Sequence, residues 1–501
     1  MINSLRFGLL LTLMAVTAYY ALLHAKVLQI GHPITQDEPG FIELTASANP
    51  YTHDGVLSSG NVYGPGYAIW ARPFTTFFAN PYIAHRWASS CALFVLLALL
   101  AWVLRLEGVG RLETGAGLGI VYILHVSSHS LSASADLLGA ALYLATLTVS
   151  RHGTWPALLA GIALTVMAAL TKPYFALGWV IVASHLLLFG PPRKALAYLG
   201  LSGLLALCTA GFLRAIAPYY FLSTVTVHGA AAVRRFDVLL GQSAEFVLLA
   251  GGVLVLALLV RPRKFSFALS LRQPWLSPAV DFWAWAALLA AAVLLGSLGW
   301  HPGNYLVYYY QLLLGPLVIV ALRRLPEWPR LGRVLLCANL LALGYLLPPL
   351  PANDHWDRLA ANVAATPGPV LADPLLEPFT HTHPHLELLA HGQTATLLQS
   401  LDHLGPDVPA AYTGLHRELL QLSERLTARI RAREFAAIYV CYCLDLDGRL
   451  AWSYEQRHIA KTLMDGYQPK GEIPVTLYAT PYWARLRHGQ NTYHVMKWVP
   501  K

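Results

Sequence analysis

With 501 residues, 56% of them hydrophobic and only 12% charged, and a mean hydropathy of +0.49, the chain is too apolar for one large soluble core and belongs to the membrane class. Its net charge of +9 does not signal a nucleic-acid partner, because many Lys and Arg residues sit where apolar runs end, as positive-inside topology requires. Five scattered cysteines exclude a disulfide framework: Cys91, Cys208 and Cys337 lie in apolar runs, and Cys441 and Cys443 share one face of a strand without disulfide geometry.

The first apolar run, Phe7 to Leu23, has no small-x-small cleavage site before Lys26 and reads as a retained signal anchor. A hydrocarbon core about 30 Å thick needs roughly 20 residues of helix, and applying that length down the chain gives about eleven spans. They fall near 6–24, 82–104, 114–130, 136–150, 155–171, 174–189, 196–213, 243–260, 280–298, 305–322 and 331–348, with Gly and Pro turns splitting the longest runs. Basic groups mark alternate connections: Arg105 and Arg111, Arg151, Arg193 and Lys194, Arg261 to Arg272, and Arg323 to Arg333. These share the cytoplasmic face with the N-terminus, so loops 25–81 and 214–242, the turns Ser127–Ala135 and His301–Asn304, and the tail face outward.

After Leu350 the composition shifts to Pro, His, Asp and Glu, and no later run is long enough to span. Residues 349–501 read as an extracytoplasmic soluble α/β domain, large enough for its own small core. A strand is expected at Pro369–Ala372, an amphipathic helix from Leu415 to Arg433, a strand at Ala436–Tyr442, and further strands at Val475–Ala479 and Tyr493–Val499. The run His381-Thr382-His383-Pro384-His385, near Glu377 and His391, offers imidazoles that suit zinc, but Pro384 breaks the strand that would align them, so no metal site is assigned.

The loop 25–81 is far longer than a connection needs, and long ordered loops are usually functional. It carries Gln36-Asp37-Glu38-Pro39 just beyond the first span, then His53-Asp54 and Asn61-Val62-Tyr63-Gly64-Pro65-Gly66-Tyr67. The Gly and Pro residues turn the loop back towards the membrane, and Trp70, Arg72 and Phe74 suit an interfacial helix.

In this arrangement the sequence resembles the polytopic C-type (GT-C) glycosyltransferases, in particular the bacterial branch related to protein mannosyltransferases and lipid A aminoarabinose transferases. Those enzymes place an acidic residue or pair in the first external loop, where this chain has Asp37-Glu38. Three further stretches resemble that branch in order: Ser134-Ala135-Asp136, though without the Arg of the related Arg-x-Asp; Leu170-Thr171-Lys172-Pro173-Tyr174-Phe175; and Gly303-Asn304-Tyr305. The likeness covers roughly residues 1–345 and rests on motif order. It implies an α-helical polytopic, GT-C-like membrane fold in residues 1–348 and a bacterial cytoplasmic (inner) membrane location. It also implies a polyprenyl-phosphate sugar donor and a glycan, lipid or protein acceptor hydroxyl.

Such a transfer needs a base for the acceptor hydroxyl, and Asp37 is the expected base with Glu38 as its helper or alternate. An oxocarbenium-like transition state also favours nearby carboxylates, and a single displacement inverts the anomeric centre. The anionic leaving group needs cations at the membrane boundary: Lys172, Arg234 and Arg235 are the outward candidates. His53, Asp54, Tyr63, Asp136, His301, Asn304, Tyr305 and Tyr308 are expected to line the substrate pocket. No cofactor is required, and assistance by a divalent metal is left open. The blander readings are an acidic turn or helix cap for Asp37-Glu38, a snorkelling Lys172, and lipid-headgroup anchors for Arg234-Arg235. A transporter or flippase of a lipid-linked or anionic substrate is the competing function; the chain lacks the internal repeats common in transporters.

Overall fold

The computed structural model describes residues 2–34, 38–59, 63–126, 132–226, 236–259, 281–297, 306–323, 325–326, 329–345, 355–389, 397–398, 401–402, 408–444, 450–452, 457–476 and 492–501. The chain is mostly helical, with a small sheet near its C-terminus. Helices occupy each of the apolar runs marked by hydropathy: α1 Ile2–Val27, α5 Pro81–Leu106, α6 Arg111–Val126, α7 Asp136–Ser150, α8 Trp155–Thr171, α9 Leu177–Phe189, α10 Pro192–Ile216, α11 Phe236–Leu258, α12 Phe282–Ser297, α13 Leu306–Arg323 and α14 Pro329–Tyr345. Among the described residues, three stretches are long and apolar enough to cross a membrane by length and composition: Ser4–Val27, Pro81–Leu106 and Pro192–Ile216. Helix α10 shows why. Leu196, Leu204, Leu207 and Phe212 are exposed along it while Tyr198 and Ser202 turn inward, the pattern of a helix whose outer face meets an apolar solvent.

Local chemistry sets where the key helices start. Pro81 opens α5, and the Asn80 side-chain oxygen accepts hydrogen bonds from the N–H groups of Tyr82 at 3.0 Å and Ile83 at 3.2 Å. The same amide donates to the Gly31 carbonyl at 2.9 Å, fastening the start of α5 to the chain leaving α1. One end of the bundle is closed by ions. Glu107, after α5, bonds Arg151 after α7, Arg323 at the end of α13 (3.1 Å) and the Trp283 indole of α12 (3.1 Å). Arg323 also reaches Asp281 at 2.6 Å, and Arg333 of α14 reaches Glu113 of α6 at 3.1 Å. The first loop and the α7 start lie at the other end of α5. There the loop folds into three short helices, α2 Glu38–Ala46, α3 His53–Ser59 and α4 Gly66–Ala71.

The C-terminal sheet runs in the order β2-β1-β3-β6-β5, with β4 also on β3. Its strands are β1 Val370–Ala372, β2 Leu386–Leu388, β3 Ala437–Leu444, β4 Leu450–Trp452, β5 Tyr467–Thr476 and β6 Thr492–Pro500. β1 pairs parallel with β2 and β3, while β4, β5 and β6 form antiparallel pairs. Alternation along β3 explains the two covered faces: Ala437, Tyr439 and Cys441 pack with Trp356 and Leu359 of α15 (Trp356–Ala364). Ile438 and Val440 pack with Ile430 of α16 (Thr413–Arg431) and Ile459 and Leu463 of α17 (Arg457–Gly466). The expected helix and the strands at 369–372, 436–442 and 493–499 occur within a few residues of those positions, whereas β5 begins at Tyr467, eight residues before the expected start at Val475, and Leu477–Ala479 lies outside the described residues.

This C-terminal part rests on the first loop. His32 stacks on Trp356 with ring centroids 4.4 Å apart, the Tyr82 hydroxyl donates to Glu377 at 2.7 Å, and Val56 and Leu222 pack with Leu415 and Leu419 of α16.

Candidate functional site

Two buried ion pairs frame the end of the bundle that carries the loop. The first belongs to Glu38, at the start of α2. Its carboxylate is fully buried with Arg86 of α5, which donates from Nε to Oε1 at 2.9 Å and from Nη2 to Oε2 at 2.7 Å. The Ala133 N–H adds a bond to Oε1 at 3.0 Å and the Ile34 N–H one to Oε2 at 2.7 Å, so each oxygen accepts two donors. Arg86 spends its other N–H groups on the carbonyls of Val27, Ile30 and His32. A rigid planar fork of five donors is what lets one side chain tie the exit of α1, the loop and α5 together.

The second pair joins α7 to the turn after α8. Lys172 Nζ lies 2.8 and 2.9 Å from the two oxygens of Asp136, and both residues are buried. The Tyr174 hydroxyl donates to Oδ1 at 2.6 Å and the Ser134 hydroxyl to Oδ2. Local sequence makes this meeting: Pro173 ends α8, so Lys172 leaves the helix in extended conformation and Pro173–Ala176 forms a 3-10 turn. Phe175 then lies against Gly139 so closely that a Cβ there would stand 2.0 Å from the ring. Any larger residue at 139 would push the turn, and Lys172 with it, away from Asp136.

The two pairs are connected by the Tyr63–Gly66 stretch. Tyr63 stacks on Phe41 of α2 at 4.2 Å, and Lys172 Nζ lies 5.0 Å from the centre of the Tyr63 ring. The Gly64 N–H donates to the Thr171 carbonyl at 3.3 Å, and a Cβ on Gly64 would meet the Leu170 carbonyl oxygen at 2.0 Å, so the backbones touch only because residue 64 is glycine. Behind them Tyr67 contacts His85 Nδ1 at 3.2 Å and Ser89 at 3.5 Å. Burial raises the Tyr67 pKa well above the usual phenol value, with Glu38 adding to the effect, so the hydroxyl stays protonated. Arg72 finishes the loop by donating to the carbonyls of Thr45 and Ser47, both at 3.2 Å.

Of the residues singled out from sequence, Glu38, Tyr63, Asp136 and Lys172 therefore come together, within one network. His53 and Asp54 open α3 farther along the loop: the His53 ring lies 3.2 Å from the Tyr219 hydroxyl and 2.9 Å from Glu418 of α16, while Asp54 is exposed. Tyr308 falls within α13. Asp37, Arg234, Arg235, His301, Asn304 and Tyr305 lie outside the described residues. In the tail, His383 is buried against the Thr366 carbonyl at 2.9 Å while His381 and His385 are exposed, and no metal-holding group of His, Cys, Asp or Glu occurs among the described residues.

Sequence reasoning missed Arg86, the hub of the first pair. The signal was present: a guanidinium five residues into the apolar run that begins at Tyr82 is as costly as the Lys172 ammonium, and cost of that kind marks a partner. Chemically, Glu38 and Asp136 each face a cation and accept hydrogen bonds on both carboxylate oxygens. The network's product is geometry, a loop clamped beside the α5, α7 and α8 ends. No protein-family model matches the chain, and no curated protein matches it significantly.

Proposed function

We propose that the chain is a membrane glycosyltransferase that moves a sugar from a polyprenyl-phosphate donor to an acceptor hydroxyl at the outer membrane boundary. One observation carries the reading: three stretches on which the glycosyltransferase resemblance rests, far apart in sequence, meet in one buried network. These are the acidic loop (Glu38 and Tyr63), Ser134–Asp136, and Thr171–Tyr174. In this reading Asp37 is the base. It directly precedes Glu38 in the sequence, and the pair of Glu38 with Arg86 makes Glu38 a positioning residue. The acceptor oxygen forms its bond to the anomeric carbon while Asp37 takes the hydroxyl proton, and the bond from that carbon to the phosphate oxygen breaks with inversion. The lipid phosphate leaves as an anion. Lys172 is held by Asp136, so its part is to fix the site's frame and local charge, and Arg234 and Arg235 remain the cations assigned to the phosphate.

The eleven helices span the membrane in this reading, with the N-terminus cytoplasmic and residues 349–501 forming an outer α/β domain. The ion network joining the ends of α5, α6, α7, α12, α13 and α14 supports that topology, because those ends carry the basic groups expected on one side. The contacts of α15 and α16 with the first loop support a C-terminal part on the opposite side.

The test is a reconstituted assay with polyprenyl-phosphate sugars. Wild-type protein should transfer the sugar, and Asp37→Asn should lower the rate by about 10²–10⁴ with no change in melting temperature. Undiminished transfer by Asp37→Asn removes the catalytic assignment; donor movement across the bilayer without transfer establishes the transporter instead.

A further inference from the structure

Between α5, α6, α7 and α13 lies a small enclosed cavity, lined by aliphatic side chains of α5 and α7 and by His125, Tyr143, Gln311, Gly315 and Pro316. Its accessible space is of the order of one water molecule. Gln311 is 4% exposed and Tyr143 1% exposed, and neither the Gln311 carboxamide oxygen and nitrogen nor the Tyr143 hydroxyl has a hydrogen-bond partner among the described residues. Pro316 sits inside α13 and has no N–H, so the carbonyl of Leu312 one turn earlier lacks its helical donor.

Buried polar groups without partners are strongly unfavourable in an apolar interior, more so where lipid rather than water surrounds the bundle. A guest that can both donate and accept relieves the Gln311 and Tyr143 groups together. It must be uncharged, because the lining residues offer no carboxylate or fixed cation. It must also be no larger than water. We infer that this cavity is an internal hydration site, in which water bridges the Gln311 carboxamide and the Tyr143 hydroxyl beside the proline of α13, joining α13 to α7. The inference is independent of the transferase reading.

A double-mutant cycle on the full chain, by thermal unfolding in lipid nanodiscs, tests it. Tyr143→Phe and Gln311→Leu should each lower the folded-to-unfolded ratio by about tenfold. Their combination should fall well short of the product of the two, because both hold the same water. Additive losses, or a higher melting point for Gln311→Leu, would mean a dry cavity and overturn the proposal. An experimental density map that resolves ordered waters gives a second measurement, needing no variant. Density within hydrogen-bonding distance of both Gln311 and Tyr143 is expected, and a clear map without it refutes the site.

Discussion

Replacing Glu38 by Gln separates the two roles that a carboxylate in this loop can have. The side chain is fully buried, Oε1 accepts from Arg86 Nε and Ala133 N, and Oε2 accepts from Arg86 Nη2 and Ile34 N. A glutamine keeps one oxygen and turns the other into an NH2 donor. Whichever way the amide flips, two donors then face a third, and the Arg86 charge is left buried without its counter-ion. Removing one partner of such a pair costs about 3–5 kcal/mol, which already includes the stranded donors. At 1.4 kcal/mol per factor of ten, the folded-to-unfolded ratio falls by about two to four powers of ten. The assay is thermal unfolding in nanodiscs beside transfer activity. Glu38→Gln should lose stability and activity together, and Glu38→Leu with Arg86→Met should regain much of the stability, because no charge is then stranded. A Glu38→Gln protein that melts like wild type yet transfers no sugar would refute the structural role and make Glu38 the reacting carboxylate.

Lys172→Met should destabilise by a similar 3–5 kcal/mol, since Asp136 is left buried with the neutral hydroxyls of Tyr174 and Ser134 in place of a counter-charge, and adding Asp136→Asn should restore most of it in the same unfolding assay. Gly64→Ala should cost about 1–3 kcal/mol and expose the first loop to limited proteolysis, because the new Cβ drives the loop off the Leu170 carbonyl. In the C-terminal sheet, the bidentate Arg429–Glu387 pair (2.7 and 2.9 Å) holds the Glu387 carboxyl below its usual range, chiefly through those hydrogen bonds. A depressed carboxylate pKa contributes stability above the unfolded value and loses it as pH falls through the folded one. Arg429→Met should therefore melt slightly lower than wild type near about pH 7, by a small margin because the pair is part-exposed, with the difference vanishing in acid.

Local order was legible without the fold. Apolar length marked α1 and the helices from α5 to α14, because a long run of hydrophobic side chains shows in the sequence without any tertiary contact, whereas the short helices α2 to α4 of the first loop carry no such run. Period-two alternation marked β3 and β6, and the acidic loop declared itself by length. Proline and glycine gave the turn at Lys172-Pro173, whose backbone consequence is local.

Partnership was not legible. From sequence, Lys172 faced a substrate phosphate and Asp136 stood without its expected Arg; in the structure each answers the other across 36 positions. Glu38 was expected to help a base, but Arg86, 48 residues on, holds it in place. A buried charge announces in sequence that something must neutralise it, since the low-dielectric interior makes isolation prohibitive. Which counter-charge does so depends on side chains brought within about 3 Å by packing elsewhere, here a phenylalanine seated on Gly139 and a loop backbone seated on Leu170. Hydropathy and spacing contain the demand for a partner, and only the tertiary structure chose it.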